Sequence, residues 1–286
     1  MTPAELSRTV LRAVRRAVEE DVLSAPVPER AAVERTRPGG TGDWASNVAL
    51  RLAKQAGQSP REVAALLKER IDGTPGIAAV DITGPGFLSF TLADETQDLI
   101  VRELLEHGLV REEALAAPEP PAAAVARLGR DAAVWGMLLA APDAELLAQH
   151  ERNPLFRVRY AYSRTRALTR NAADLGFDAS YDTAIDTAID TVTDTGVDAP
   201  ELIGLLGGYA VELEAAVRRA APERIARHLV AVADAFFRFH DTHRVLPLGD
   251  EKPSAAHRSR LAVAEAAGTV LAGGLSQLGV SAPDHL

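Results

Sequence analysis

"AAVDITGPGFLSFTL", residues 78–92, carries the clearest strand signal in the chain. Val80 and Ile82 alternate with Asp81 and Thr83. Leu88, Phe90 and Leu92 alternate with Ser89 and Thr91, and Gly84-Pro85-Gly86 between the two runs is turn chemistry. A side-chain period of two sends each set to one face, so the stretch predicts a β-hairpin with one buried face. Helical patterns surround it. Leu6, Val10 and Val14 recur every four residues, with Leu11, Val18 and Val22 widening the stripe, which predicts a helix over 4–23. Pro26 and Pro28 stop it, since proline cannot continue the ladder. "RTRPGGTGD" (35–43) reads as a flexible loop and 44–56 as a second helix closed by Gly57. "SPREVAALLKERI" (59–71) is a third helix, with Ser59 as N-cap and Pro60 at the first helical position.

Beyond the hairpin the pattern changes. Asp94 caps a helix running to about Leu105, and "LAAPEPPAAA" (115–124) has the composition of a Pro/Ala linker. From Arg127 onward only helical stretches occur: 128–141, 154–175, 200–220, 222–244 and 255–278. The expected architecture is an α+β N-terminal domain, a small antiparallel sheet with helices, over residues 1–95. A helix and linker follow over 96–126. An all-α helical bundle occupies 127–286, interrupted by an acidic insertion at 178–198.

Composition narrows the function classes. The 286 residues are 47% hydrophobic and 25% charged, as in soluble globular proteins, and no apolar run is long enough to span a bilayer. Charge runs through the first twenty residues, which excludes a secretory signal there and makes a cytoplasmic location the expectation. The absence of Cys removes disulfides, thiolate chemistry and Cys-ligated zinc. A net charge of −9 argues against nucleic acid as a partner until its distribution is considered. Residues 151–177 hold six Arg against Glu151 and Asp174, whereas 178–198 hold six Asp and no base.

"GDWASNVALRLAKQAGQSPREVAALL" (42–67) followed by the Gly-Pro-Gly-Phe hairpin resembles the N-terminal tRNA-binding domain of arginyl-tRNA synthetases. That domain shows Gly-Asp-Tyr-x-x-Asn-x-Ala, Pro-Arg-x-x-Ala and Gly-Pro-Gly-Phe-x-Asn-Phe. Trp44 stands here for the Tyr and Ser89 for the last Asn. The second half resembles the family's all-helical anticodon-binding domain, named for its Asp-Ala-Leu-Arg (DALR) motif. "NPLFRVRYAYSR" (153–164) is similar to Asn-Pro-x-x-Tyr-x-Gln-Tyr-Ala-His-Ala-Arg, and "AVADAFFRFHDTHRVL" (231–246) and "VLAGGLSQLGVSAPDHL" (270–286) to the last two helices and tail. "LGRDAAVWGMLLA" (128–140) resembles the helix that leads out of the family's catalytic domain.

The catalytic domain itself has no counterpart in the sequence. A class I synthetase stabilises charge on a transferring phosphate with a His-x-Gly-His element and a Lys-Met-Ser-Lys-Ser-type loop. None of the seven His pairs around a Gly, and "EKPSAA" (251–256) is only a faint echo of the loop. No βαβ run with a Gly-rich turn offers an ATP site. The resemblance therefore implies a non-catalytic tRNA-binding protein with no cofactor and no metal. It would grip the elbow and anticodon arm of a tRNA, an arginine tRNA first of all, as an adaptor, carrier or sensor. Its further partner would be a tRNA-modifying, tRNA-dependent or synthetase enzyme. Two alternatives stand beside it: a protein-interaction module that has lost tRNA binding, and the tRNA-binding half of a split arginine–tRNA ligase.

The resemblance points to two groups of candidate RNA contacts. Asp43, Trp44, Asn47 and Lys54 lie in the loop-helix that the family docks on the D-arm. There an aromatic face stacks on a flipped base and an Asn reads a base edge. The plain alternative is that Trp44 packs on the Gly84-Pro85-Gly86 turn and Asn47 caps the helix. Arg157, Arg159, Tyr162, Arg164 and Arg166 form the second group, with Arg170 and Tyr160 beside them; guanidinium forks suit phosphate and tyrosines suit base stacking. Helical spacing sets 157 and 164 on one side and 159, 166 and 170 on the other, so no single face uses all five Arg. Tyr160 is expected to be partly core, and solvated helix surface accounts for some of the cations. "HDTH" (240–243) offers two His and an Asp within one turn but no third metal ligand in view.

"DTAIDTAIDTVTDT" (182–195) repeats every four residues and stacks Asp182, Asp186, Asp190 and Asp194 at i,i+4, which disfavours a helix. It reads as a loop or frayed helix of no consequence, or as an acidic segment that folds back on the adjacent Arg-rich helix and competes with RNA phosphate. In the second case, deleting 182–195 should tighten tRNA binding and steepen its salt dependence in a filter-binding titration. Unchanged affinity at low salt would exclude that role.

Overall fold

The computed structural model describes residues 1, 3–36, 40–93, 95–109, 115–181, 197 and 199–286. The chain forms two compact units, Met1–Ile100 and Val101–Leu286.

In the first unit α1 (Pro3–Glu19) buries Leu6, Val10 and Val14 completely, as their spacing predicts. The helix ends earlier than expected. Asp21 turns into the left-handed region at φ 56°, the amides of Val22 and Leu23 both bond back to Ala17 O, and Leu23 takes the core position while Val22 is exposed. The sheet is larger than one hairpin. Short strands β1 (Val33–Arg35) and β2 (Trp44–Ser46) join β3 (Ile77–Thr83) and β4 (Phe87–Leu92) in the order β1-β2-β4-β3, every neighbour antiparallel. The predicted helix over 44–56 is thus a strand followed by α2 (Val48–Ala56), which Gly57 closes in the left-handed conformation. The start of the predicted loop at 35–43 is the end of β1.

Trp44 pairs with Phe90, which pairs in turn with Val80. All three side chains are buried in one row under α2 and α3 (Pro60–Ile71). Ser59 and Glu62 close a reciprocal cap at the start of α3: the Glu62 amide donates to Ser59 Oγ at 3.3 Å and the Ser59 amide to the Glu62 carboxylate at 2.8 Å. The Gly-Pro-Gly turn lies against this helix start, with a Cβ on Gly86 falling 2.7 Å from Pro60 O. The turn is therefore not the partner of Trp44.

The division falls within α4 (Glu95–His107), and in the second unit α5 (Ala122–Leu128), α6 (Arg130–Leu139) and the short α7 (Asp143–Leu147) follow. The linker reading of 115–124 holds only in part. Leu115 is buried, Glu119 pairs with Arg130 at 2.9 Å, and α5 starts at Ala122. Four long helices form the bundle: α8 (Pro154–Asp174), α9 (Pro200–Arg219), α10 (Glu223–Thr242) and α11 (Ala255–Gln277). These match the predicted helical stretches closely, and no strand occurs among the described residues of this unit. The cap predicted at Asp94 and the acidic repeat 182–195 lie outside the described residues.

Gly42 makes the β2–β4 junction possible. It sits at φ 76°, and a Cβ there would lie 2.7 Å from Phe90 O. Gly42→Ala should lower the unfolding free energy by about 1–3 kcal/mol. Urea unfolding with hydrogen exchange should show the loss in β2 and β4, with α9–α11 unchanged.

Candidate nucleic-acid interface

The candidate residues of the first unit divide into scaffold and surface. The Asp43 amide donates to Phe90 O at 2.8 Å and its carboxylate accepts the Leu92 amide at 2.9 Å, which ties β2 to the end of β4. Trp44 is 4% exposed and packed in the core, so no base can stack on it. Asn47 occupies the N-cap position of α2, yet its side chain makes no cap bond. Ser46 takes that role: its Oγ accepts the Val48 amide at 3.4 Å and donates to Ala32 O at 2.6 Å. Asn47 is left exposed, lining a concavity of about 460 Å³ with Arg35, Thr83, Phe87 and Ser89. Lys54 is exposed on α2 and does not line it.

Phe87 is the residue that sequence reasoning missed. The β4 alternation sends Leu88 and Phe90 inward and Phe87 and Ser89 to the opposite face, where Phe87 stays 38% exposed. A Phe at an outward position was the available signal. Ser89, buried at the floor, shares a 3.0 Å hydrogen bond with Thr83. The concavity thus offers an aromatic ring beside an uncommitted amide, the pair of groups that binds an unstacked base.

In the second unit everything hangs on the start of α8. Asn153 is buried; its Oδ1 accepts the amides of Leu155 and Phe156 at 3.0 and 3.1 Å, and its Nδ2 donates to Leu146 O and Ala148 O at 3.0 and 2.8 Å. Pro154 follows at the first helical position, where its missing amide costs nothing. The helix then presents two different polar sides, as its spacing predicts.

On the α10 side, Arg157 pairs with Asp234 and lies over the Phe237 ring at 5.4 Å. Tyr160 stacks between Phe156 and Phe237, with centroids 5.8 and 5.7 Å away, and is 46% exposed, so it is covered only in part. Exposed Arg164 donates to His240 Nε2 at 3.3 Å. Burial, reinforced by the Arg164 charge, lowers the His240 pKa and favours the neutral ring that accepts this bond. Arg164 and His240 line a concavity of about 710 Å³ with Asn171, His243, Arg244 and Leu248. His243 Nδ1 lies 3.2 Å from Phe239 O, and among the described residues no three His, Cys, Asp or Glu side chains converge on a metal position.

On the opposite side the helix is covered by residues 281–285. Arg159, 18% exposed, pairs with Asp131 of α6 and donates to Ser281 O at 3.0 Å and Ser281 Oγ at 2.6 Å. Burial alone would raise the Asp131 pKa, but the Ser281 hydrogen bonds and Arg159 outweigh it and hold the carboxyl below its ordinary value. Tyr162 donates to the Asp284 carboxylate at 2.7 Å, and Arg166 approaches the same oxygen at 3.5 Å. Burial and this bond raise the Tyr162 pKa, so the phenol remains a donor. The structure therefore commits Arg157 and Arg159 to internal carboxylates and engages Tyr162 and Arg166 with the tail, leaving Arg164 the most accessible of the five candidates.

The sequence profile of the arginyl tRNA synthetase N terminal domain matches residues 5–92, and that of the DALR anticodon binding domain matches 158–286. The chain is an arginyl-tRNA synthetase relative. An arginine–tRNA ligase of Frankia alni is 48% identical over 108 residues, 38% of this chain and 20% of the ligase. One of Kineococcus radiotolerans is 47% identical over 111 residues, with the same shares. The chain spans about a fifth of the length of these curated relatives. The solved arginyl-tRNA synthetase of Thermus thermophilus matches in fold with a TM-score of 0.63 at 11% identity, the alignment covering 100% of both chains.

In this synthetase relative the N-terminal match precedes the DALR match, with residues 93–157 between them. The described residues of that interval are helix and connection, without a strand. A synthetase's nucleotide-binding domain needs a parallel sheet, which they do not supply.

Asn153→Ala should cost about 2–4 kcal/mol, because it removes a cap and leaves two buried carbonyls without donors. Asn153→Asp keeps the cap alone and should fall between the variant and the parent. Denaturant unfolding of the second unit reads both.

Proposed function

We propose that this chain binds tRNA without aminoacylating it, acting in the cytoplasm as an adaptor, carrier or sensor with arginine tRNA as its first ligand. The observation that carries the reading is the retention of two tRNA-related domains around an interval whose described residues supply no strand for an ATP-binding sheet. Two surfaces support it. Asn47 and Phe87 suit an unstacked base of the tRNA elbow, and exposed Tyr160 and Arg164 suit the bases and phosphates of an anticodon loop. Binding through both units raises affinity only when one tRNA reaches both sites together. A tRNA-modifying, tRNA-dependent or synthetase enzyme is the partner to which the RNA would be handed.

A second reading, a protein-interaction module, is favoured by the internal ion pairs of Arg157 and Arg159 and by the net charge of −9. The split-ligase reading shares the same surfaces and differs in needing a separate catalytic chain. Filter binding against total tRNA, with sequencing of what is retained, separates the tRNA-binding readings from the interaction module. Retention enriched in arginine tRNA is expected, and Phe87→Ala should weaken it about 5- to 100-fold if a base stacks there. No retained tRNA, with a protein co-purifying instead, would favour the interaction module. ATP–pyrophosphate exchange with arginine by the chain alone would overturn the non-catalytic reading.

A further inference from the structure

The side of α8 that faces residues 281–285 has the chemistry of an anion site. Tyr162, Ser163, Arg166 and Arg170 follow one another on one stripe of the helix and direct donors the same way. The Tyr162 phenol and the Arg166 guanidinium meet the Asp284 carboxylate at 2.7 and 3.5 Å. Ser163 Oγ donates to the Asp284 main-chain carbonyl at 3.2 Å, and Arg170 reaches His285 Nδ1 at 3.4 Å. The stripe has an acid of its own behind it, Glu265 of α11, whose carboxyl burial pushes up, toward the neutral form. The Tyr162 phenol and the Arg166 guanidinium meet the Asp284 carboxylate, and the Ser163 hydroxyl and the Arg170 guanidinium lie beside them on the Asp284 main chain and His285; together they form a donor set that a phosphate group also satisfies.

The two ends of the covering segment are held very differently. Ser281 is fixed by Arg159 and Asp131, both largely buried, through hydrogen bonds of 2.5–3.0 Å. Asp284 is 51% exposed and Arg166 42% exposed, and exposed pairs of this kind contribute little net stability. The segment is therefore anchored at Ser281 and exchangeable at Asp284, with Pro283 between them.

We propose that Asp284 is an intramolecular competitor for RNA phosphate: in the free chain it occupies an anion site built by Tyr162, Ser163, Arg166 and Arg170, and the backbone of bound RNA takes its place. This rests on the tRNA-binding reading above and adds to it the regulation of one of its surfaces. It also explains how a helix with six basic residues in its neighbourhood sits in an acidic protein without a bare cationic face.

The test compares tRNA binding by the full chain and by Asp284→Asn, which keeps the side-chain shape and removes the charge. Asp284→Asn should bind about two- to fivefold more tightly, the range an exposed ion pair supports. Its log–log salt slope should steepen by about 0.7–0.9, the share of one phosphate, because the freed cations must then shed counterions rather than a carboxylate. In a chain carrying Arg166→Gln and Arg170→Gln the same substitution should change nothing. Matching thermal unfolding curves identify variants whose fold is intact. If the parent binds tRNA and Asp284→Asn binds equally or more weakly, the competitor role is overturned while tRNA binding stands. If neither chain binds tRNA, the functional reading fails and the inference with it.

Discussion

Two close helix contacts of the second unit are set by glycines of α11. A Cβ on Gly268 would lie 2.5 Å from Thr165 Oγ1 of α8, and one on Gly274 would lie 2.5 Å from Leu229 of α10. α11 is therefore wedged between the two helices that carry the polar surfaces, and most of its residues are buried, on every side of the helix. Interiors packed this closely transmit a displacement of one helix to its neighbours. The separation of α8 from α10, and with it the Arg157–Asp234 and Arg164–His240 contacts, follows from two missing side chains on a third helix.

This arrangement gives α8 two polar sides with different duties. The α10 side is assembled from helix neighbours and carries a ladder of stacked rings, Phe156, Tyr160 and Phe237, with a guanidinium over the last. The other side is closed by Asp131 of α6 and, through Ser281 and Asp284, by a segment more than a hundred residues away in sequence. A chain that is acidic overall thereby holds a strongly basic helix with nearly every cation near a carboxylate or a ring nitrogen.

The helices and the hairpin were legible because each repeats a period over ten residues or more, or alternates cleanly about a Gly-Pro-Gly turn. β1 and β2 were not, since three residues are too few to show alternation, and Trp44–Ser46 runs directly into a helical pattern. The division of the Arg cluster into two sides followed from helical spacing alone. What each side faces did not, because Asp131 lies 28 residues away along the chain and the other partners 76 to 122. At the first concavity the sequence drew attention to a ring that the fold buries. Trp44 was conspicuous as the large aromatic at a helix mouth, whereas its place opposite Phe90 in a strand row makes it structural, and the exposed ring is Phe87.

Ser46 and Asn47 show how one short segment separates stability from recognition. By accepting the Val48 amide, the Ser46 hydroxyl serves the start of α2, a task usually given to the residue at position 47. Position 47 is thereby released from the capping task, although it directly precedes the first residue of the helix. A different side chain there can change the chemistry of the concavity that Arg35, Thr83, Phe87 and Ser89 line without loss of the bond that starts α2. The same segment thus combines a fixed backbone with a replaceable surface group.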